Sequence, residues 1–331
     1  MKKLDPIIGL TKLVRYVSNW QDVLAVFFGR KQGTTVKFRN GITLDVHRRD
    51  IRAVLMLCGV RDIVDNDHSL FFSGLVIPKA ADKMMIVNAI EFVSCGGGLA
   101  KTPQGMMATI GENKFLVRED DLIGLGGVIE VFVRQVYGYM DPKNKVVLDI
   151  GAFIGDSAVW FSKKGASRVI AYEPYKPMFE LAEWNIDLNF SSHDIKIYNC
   201  GVGKESKAAR LNVIGGRYGS NRTEIGNGIK THDIIDTVEV YIVSIKDVLE
   251  KAGGVDAIKM DCEGSEYEIL EAMAEQGLED LTGKEIILET HNLDKKRNVR
   301  SVKELLKRCG YTKIKTVLEC SKDNTIVYAN K

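Results

Sequence analysis

The amino-acid sequence predicts an α/β protein with a doubly wound sheet over residues 126–331 and an α+β region over residues 1–125. Three observations predict it. From about residue 140 onward, short β-branched apolar runs alternate with helix-period segments, the pattern of parallel strands joined by crossover helices. A glycine turn, Gly151 to Gly155, joins the first of these runs to its helix, and an acid, Glu173, ends the second.

Lys145-Val146-Val147-Leu148-Asp149-Ile150 is almost wholly apolar, which suits a central strand covered on both faces. A helix over Ile154 to Lys164 follows, then a strand over Arg168 to Tyr172 and a helix over Lys176 to Leu188. Further strands are expected at Ile195–Asn199, Ala257–Met260, Glu285–Leu288, Thr312–Val317 and Thr325–Tyr328. Between the third and fourth lies an insertion, Ala208 to Val243, with two strand-like runs and a Gly-rich loop carrying Arg217, Tyr218, Asn221 and Arg222. Trp160 and Trp184 fall in the first two helices and are expected in the core.

The first third is different. Thr35 to Val46 alternates around Asn40-Gly41, a hairpin signature. Met106 to Val117 is a second β-like stretch with Gly111 near its centre, and no element is assigned with certainty over Arg48 to Val93. Gly126 to Tyr139 has helical spacing, with a strand as the alternative. Pro6 to Phe28 is apolar but interrupted by Lys12, Arg15, Asn19 and Asp22. It is expected to form one or two amphipathic helices packed on the protein body, peripheral membrane contact being the second reading.

Composition narrows the function. A formal net charge of +2 gives no global basis for a nucleic-acid partner. None of the six cysteines stands in a CxxC pair, so buried reduced thiols in a cytoplasmic protein are expected. No run reaches the length of a membrane span, and no cleavable leader is recognised.

Ligands of open α/β sheets bind beyond the carboxyl ends of the strands. The first strand ends Asp149-Ile150-Gly151-Ala152-Phe153-Ile154-Gly155-Asp156, and the second ends Ala171-Tyr172-Glu173-Pro174. Gly151 lets a ligand approach the backbone, and Gly155 lets the helix pack closely. An acid at Glu173 is placed to accept hydrogen bonds from both hydroxyls of a ribose. A dinucleotide site wants glycine where Phe153 stands, and Asp149 and Asp156 would repel a pyrophosphate. The half-site therefore fits a nucleoside ligand without phosphates. S-adenosylmethionine (SAM), with its sulfonium and ammonium, is such a ligand, and Asp149 is a candidate partner for the ammonium.

Four blocks occur in order: VVLDIGAFIGDSA, VIAYEP, IKMDCEGSEYEIL and IILETH. In this the chain, from about Tyr137 to its end, resembles the FkbM-type SAM-dependent methyltransferases. The resemblance implies a Rossmann-like class I methyltransferase sheet of seven strands, the last antiparallel. It implies that Asp149, Gly151 and Gly155 hold the methionine portion of SAM and Glu173 the ribose. Ala152, Phe153, Asp156, Pro174 and Asp261 complete the expected cofactor contacts. Cys200-Gly201-Val202-Gly203 is expected beside the adenine, with Gly201 as the contact. It also implies O-methylation of a sugar, glycan or small metabolite.

A hydroxyl acceptor must lose a proton, so a base helps. The fourth strand ends Lys259-Met260-Asp261-Cys262-Glu263-Gly264-Ser265-Glu266 and the fifth Glu289-Thr290-His291-Asn292. His291, Asp261 and Glu263 are the candidate catalytic residues. Glu266 is expected in the first turn of the next helix, where the helix dipole favours an acid. Asp261, Glu263, Glu289 and His291 are also hard ligands at one sheet edge, but no metal site is assigned. A nucleic-acid methyltransferase is the nearest rival, although the chain has Asp261-Cys262-Glu263-Gly264 where adenine amino-methylation motifs carry Pro-Pro. A non-catalytic SAM-binding protein is the rival of a different class.

Overall fold

The computed structural model of the chain describes residues 17–27, 30–37, 43–47, 64–65, 69–72, 75–78, 88–89, 91–93, 95–118, 123–214, 221, 234–319 and 324–331. These fall into two units, residues 1–113 with 118–129, and residues 114–117 with 130–331. Among the described residues no helix is long and apolar enough to cross a membrane.

In the first unit, helix Trp20–Phe27 starts after Asn19, whose side chain accepts from the Lys37 amide and donates to the Thr35 carbonyl, both at 2.8 Å. Strands Gly33–Lys37 and Thr43–His47 pair antiparallel, as the alternation predicts. The Asn40-Gly41 turn between them lies outside the described residues, as does the Pro6–Phe28 stretch before Val17. In the span left unassigned, Ser69–Phe72 pairs with Val64–Asp65 and with Leu75–Pro78. Met106 to Val117 is not one stretch. It resolves into Gly105–Ile110 and Asn113–Val117, with Gly111 between them at φ 57, a turn conformation that suits glycine. The helix expected over Gly126 to Tyr139 runs from Ile123 to Val128 and passes into a π-helical turn, Ile129–Val133. It ends early because Gln135 turns to φ 52.

The second unit contains β1 (Val146–Ile150), α1 (Asp156–Lys163), β2 (Arg168–Tyr172), α2 (Lys176–Asn189) and β3 (Ile195–Tyr198). Next come β4 (Gly201–Gly203), β5 (Lys207–Ile214), β6 (Ile234–Ser244) and α3 (Ile245–Ala252). The chain closes with β7 (Ala257–Met260), α4 (Glu266–Glu275), β8 (Glu285–His291), α5 (Val299–Arg308), β9 (Lys313–Glu319) and β10 (Asn324–Asn330). Seven strands form one sheet in the order β3-β2-β1-β7-β8-β10-β9. β10 alone runs against its neighbours, pairing antiparallel with both β8 and β9. This is the class I methyltransferase fold. The insertion forms a separate sheet, β4-β6-β5, with β5 and β6 antiparallel. Of its loop only Asn221 is described, and Arg217, Tyr218 and Arg222 lie outside.

Order reverses between β1 and β7, because β2 and β3 lie on one side of β1 and β7 and β8 on the other. Right-handed crossovers then put the helices of the two halves on opposite faces. One face carries Leu148, Ile150, Ile258, Met260, Ile286 and Leu288 into a core with α3, α4 and α5. The alternation of strands sends the opposite parity, Asp149, Lys259, Asp261, Glu289 and His291, to the other face. Helix α2 buries Met178, Ala182, Asn185 and Ile186, one stripe at helical spacing. Trp184 is off that stripe and 48% exposed, so it is not a core residue as expected, whereas Trp160 is buried.

Lys114–Val117 joins this unit through two asparagines of α2. Asn185 accepts from the Leu116 amide at 2.6 Å and donates to the carbonyls of Leu116 (3.1 Å) and Ile154 (2.9 Å). Asn189 accepts from the Lys114 amide and donates to its carbonyl. Asn185 is fully buried, so truncating it strands backbone groups away from water. Asn185→Ala is expected to cost roughly 2–4 kcal/mol. The urea midpoint should fall at an unchanged m-value, and a midpoint like that of the natural chain would contradict the bridging role.

Candidate active site

The site is built where β1, β2, β7 and β8 end. Gly151, at φ 78, passes so close to β7 that a Cβ there would stand 1.8 Å from the Asp261 carbonyl oxygen. Only glycine permits that contact. At Gly155, φ 82, a Cβ would lie 3.1–3.2 Å from Ala182 of α2, so glycine here lets α1 seat against α2. Between them Phe153 adopts φ 49, a conformation costly for a residue with a side chain.

Lys259 is buried on the sheet face beneath the turn. Its ammonium lies 3.1 Å from Asp149 Oδ1 and 2.5 Å from the Gly151 carbonyl oxygen. Burial opposes its charge, but Asp149, Asp261 and Asp156 outweigh that and hold the ammonium charged beyond its ordinary range. Asp149 is fully buried, and its other oxygen accepts from Ser157 Oγ at 2.6 Å. Expected to face a ligand ammonium, Asp149 instead has its charge met inside the protein by Lys259.

Glu173 ends β2 as expected. One carboxylate oxygen accepts from the Phe153 amide (3.0 Å) and the other from the Tyr175 amide (2.8 Å). Burial raises its pKa to about 7, against the pull of those two amides. Asp156, first residue of α1, is also pushed up to about 7 by burial, with Lys259 acting the other way. Asn199 donates to the carbonyls of Glu173 and Pro174, tying the end of β3 to the end of β2. Gly201 packs where a Cβ would meet Ile242 at 2.6 Å and Pro174 at 3.6 Å.

At the ends of β7 and β8 stands a cluster around His291, whose side chain is 4% exposed. Its Nδ1 is 3.2 Å from Glu266 Oε1, which also accepts from the His291 amide at 2.7 Å. The Tyr267 hydroxyl donates to the His291 carbonyl. Nε2 points the other way, 3.5 Å from Glu263 Oε2 and 3.9 Å from both Asp261 Oδ1 and Glu289 Oε1. Burial works against charging His291, but Glu263, Glu266 and Glu289 prevail and raise its pKa well above the ordinary value. Glu289, largely desolvated and near the charge of Asp261, is raised to about 8. Asn324 Nδ2 donates to Glu289 at 2.7 Å.

His291, Asp261 and Glu263 are thus brought together. Gly151, Ala152, Phe153 and Gly155 lie in one turn between Asp149 of β1 and Asp156 of α1, with Glu173 joined to it through the Phe153 amide. Pro174 and Gly201 meet at the next strand end. Sequence reasoning gave Lys259 no role. A lysine inside the apolar run Ala257–Met260 was the signal, since a charge there needs buried partners. It also missed Tyr137, whose ring lies 5.6 Å from the Lys259 ammonium. Glu266 does open α4, but its carboxylate turns back to orient His291.

Strand order, glycine turn and acid at adjoining strand ends define the SAM-dependent methyltransferase class. Within it, residues 149–313 match the methyltransferase FkbM domain, and this part of the chain is an FkbM methyltransferase domain. No protein of curated function matches the chain. Among solved structures, SMU.776 complexed with SAH aligns at TM-score 0.41 and 11% identity, over 70% of this chain and 57% of that one. The chain thus spans little more than half the length of SMU.776. Magnesium protoporphyrin IX methyltransferase from Synechocystis PCC 6803, with bound SAM, aligns at TM-score 0.38 and 12% identity, over 64% and 83%. A methyltransferase from Pyrococcus furiosus aligns at 0.40 and 16%, over 75% and 96%. Likenesses this distant add nothing to the sheet order visible in the chain itself.

Removing the Lys259 charge leaves Asp149 buried and uncompensated. Lys259→Met is expected to cost about 3–5 kcal/mol. Calorimetry should show a large fall in Tm, and adding Asp149→Asn should recover much of it. A double variant no more stable than Lys259→Met would refute the pairing.

Proposed function

We propose that the protein transfers a methyl group from SAM to a hydroxyl of a sugar, a glycan or a small metabolite. The residues present fit SAM. The turn after β1 has Phe153 rather than glycine at its closest approach, and the edge carries Asp156, Glu173, Asp261 and Glu289, which suit a cationic ligand and repel phosphates. When bound, SAM supplies the methyl group on a sulfonium.

Glu173 accepts the ribose hydroxyls, held in position by the Phe153 and Tyr175 amides. Asp156 and Asp261 take the part first given to Asp149 and face the ammonium. Gly151 and Ala152 supply the backbone wall, and Cys200 to Gly203 border the adenine. The convergence of His291 Nε2 with Asp261, Glu263 and Glu289 at 3.5–3.9 Å carries the reading. A hydroxyl attacks well only as it loses its proton, and this cluster offers both acceptors for the proton and groups to aim the oxygen. Glu266 and Tyr267 act as positioning residues by fixing the His291 ring and backbone.

Incubation with SAM and a panel of hydroxylated sugars and metabolites should release S-adenosylhomocysteine. His291→Asn should lower kcat by about 10²–10⁴-fold while SAM affinity stays within about three-fold. Failure of every hydroxyl acceptor, or transfer only to nitrogen, would sink the proposal.

Glu173 gives a second expectation. Ribose hydroxyls need its carboxylate form, and its pKa in the protein is about 7. Raising the pH through 7 should therefore strengthen SAM binding, with an affinity at pH 6 about ten-fold below the plateau. Glu173→Gln should weaken binding at pH 8 about ten-fold or more and flatten the profile. Calorimetric titration from pH 5.5 to 8.5 measures both, and a pH-independent affinity in the natural protein would count against the assignment.

A further inference from the structure

We infer that Asp261, Glu263 and His291 form a binding site for one divalent cation of the Mg²⁺ or Mn²⁺ type. One ligand atom from each residue lies within 4.8 Å of the other two. His291 Nε2 is 3.5 Å from Glu263 Oε2 and 3.9 Å from Asp261 Oδ1. These separations are too long for hydrogen bonds. They lie between the separations of neighbouring ligands (about 3 Å) and opposite ligands (about 4.2 Å) around a six-coordinate ion with bonds of about 2.1 Å, within reach of such an ion after small side-chain shifts.

The second observation is the His291 ring itself. It is buried, and Nε2 has no hydrogen-bond partner among the described residues while aiming into the acids. Glu266, on Nδ1, fixes the ring so that Nε2 is directed at Glu263, Asp261 and Glu289. Carboxylates gathered on Nε2 call for a positive charge there: a proton on the ring supplies it without an ion, and a bound cation takes that proton's place. Carboxylates holding the far nitrogen of a histidine are the usual outer support of a metal-bound imidazole. Lys259 does not supply the charge, being engaged by Asp149 and the Gly151 carbonyl.

Backbone strain points the same way. Glu263 adopts φ 53, followed by Gly264 at φ 111. A glutamate in this conformation is held there at a cost of about 1–3 kcal/mol, and the turn carries its carboxylate toward His291. Imidazole and two carboxylates leave several positions of a six-coordinate ion open to oxygen ligands. Those positions suit the acceptor hydroxyl, whose proton an ion would make easier to lose. That role rests on the methyl-transfer proposal above, whereas the binding of the ion does not.

The test is titration of the full chain, stripped with EDTA, with Mn²⁺ alone, following free Mn²⁺ by electron paramagnetic resonance. One ion per chain is expected. Asp261→Asn and Glu263→Gln should each weaken binding at least ten-fold, while the SAM affinity of Glu263→Gln, which lies outside the proposed cofactor contacts, stays within about three-fold by calorimetry. Mn²⁺ should also raise the Tm of the natural protein and not of the variants. Absence of binding, or binding by Glu263→Gln equal to that of the natural protein with its SAM affinity intact, overturns the site. Mn²⁺ binding without methyl transfer to any hydroxyl would leave the site standing and remove the proposed function. Full-rate transfer in EDTA, with no bound ion, would leave the proposed function standing and remove the ion's part in it.

Discussion

One buried ammonium organises the ligand edge of the sheet. Lys259 reaches from β7 to the carboxylate of Asp149 on β1 and to the carbonyl of Gly151 in the turn above it. β1 and β7 are neighbours at the point where strand order reverses, so the lysine fastens the two halves at their junction. The same junction requires a glycine at 151, because the Asp261 carbonyl occupies the space where a side chain would begin. Turn geometry, the position of Asp261 and the neutralisation of Asp149 are thus parts of one constraint. A charge so deep is costly unless every partner is present, which makes the arrangement all-or-none.

Crowding of acids is the second physical theme. Asp156 and Glu173 are buried and Glu289 partly buried at one edge, and each is driven toward neutrality by desolvation. A protein that only needed stability would have little use for them. In the proposed function, their collective preference for a positive neighbour would favour cationic ligands over phosphorylated ones. His291 sits where that preference is sharpest, with its near nitrogen fixed by Glu266 and its far one turned toward three carboxylates.

Much of the second unit was legible in the sequence because local pattern and global fold agree there. The run VVLDI can only be a doubly covered strand, and the glycines at 151 and 155 mark a turn whatever follows. Partnerships across the sheet were not legible. Lys259 lies 108 places from Gly151, and Asp256 lies 110 from Val146, whose amide donates to it, so only the register of β7 on β1 brings these partners together. Parity along β7 and β8 places Lys259, Asp261, Glu289 and His291 on one face, but the register that aligns β7 with β1 is a property of the folded sheet. Trp184 shows the opposite failure: a large apolar residue suggests a core, yet the buried stripe of α2 is set by Met178, Ala182, Asn185 and Ile186. In the first third, short strands and glycine turns carry weak periodicity, which is why Met106 to Val117 looked continuous across Gly111.

The segment Lys114–Val117 has a consequence for how the chain is made. Its backbone is matched by Asn185 and Asn189, which lie 69 and 75 residues downstream of Leu116 and Lys114. During synthesis the strand leaves the ribosome well before α2 exists, so it cannot join the later unit while it is being translated. At about 5–20 residues per second, it waits several seconds for its partner. A short stretch of the earlier chain is thereby a late-folding part of the later unit, and its transit is a window in which the backbone groups later met by Asn185 and Asn189 are open to other strands.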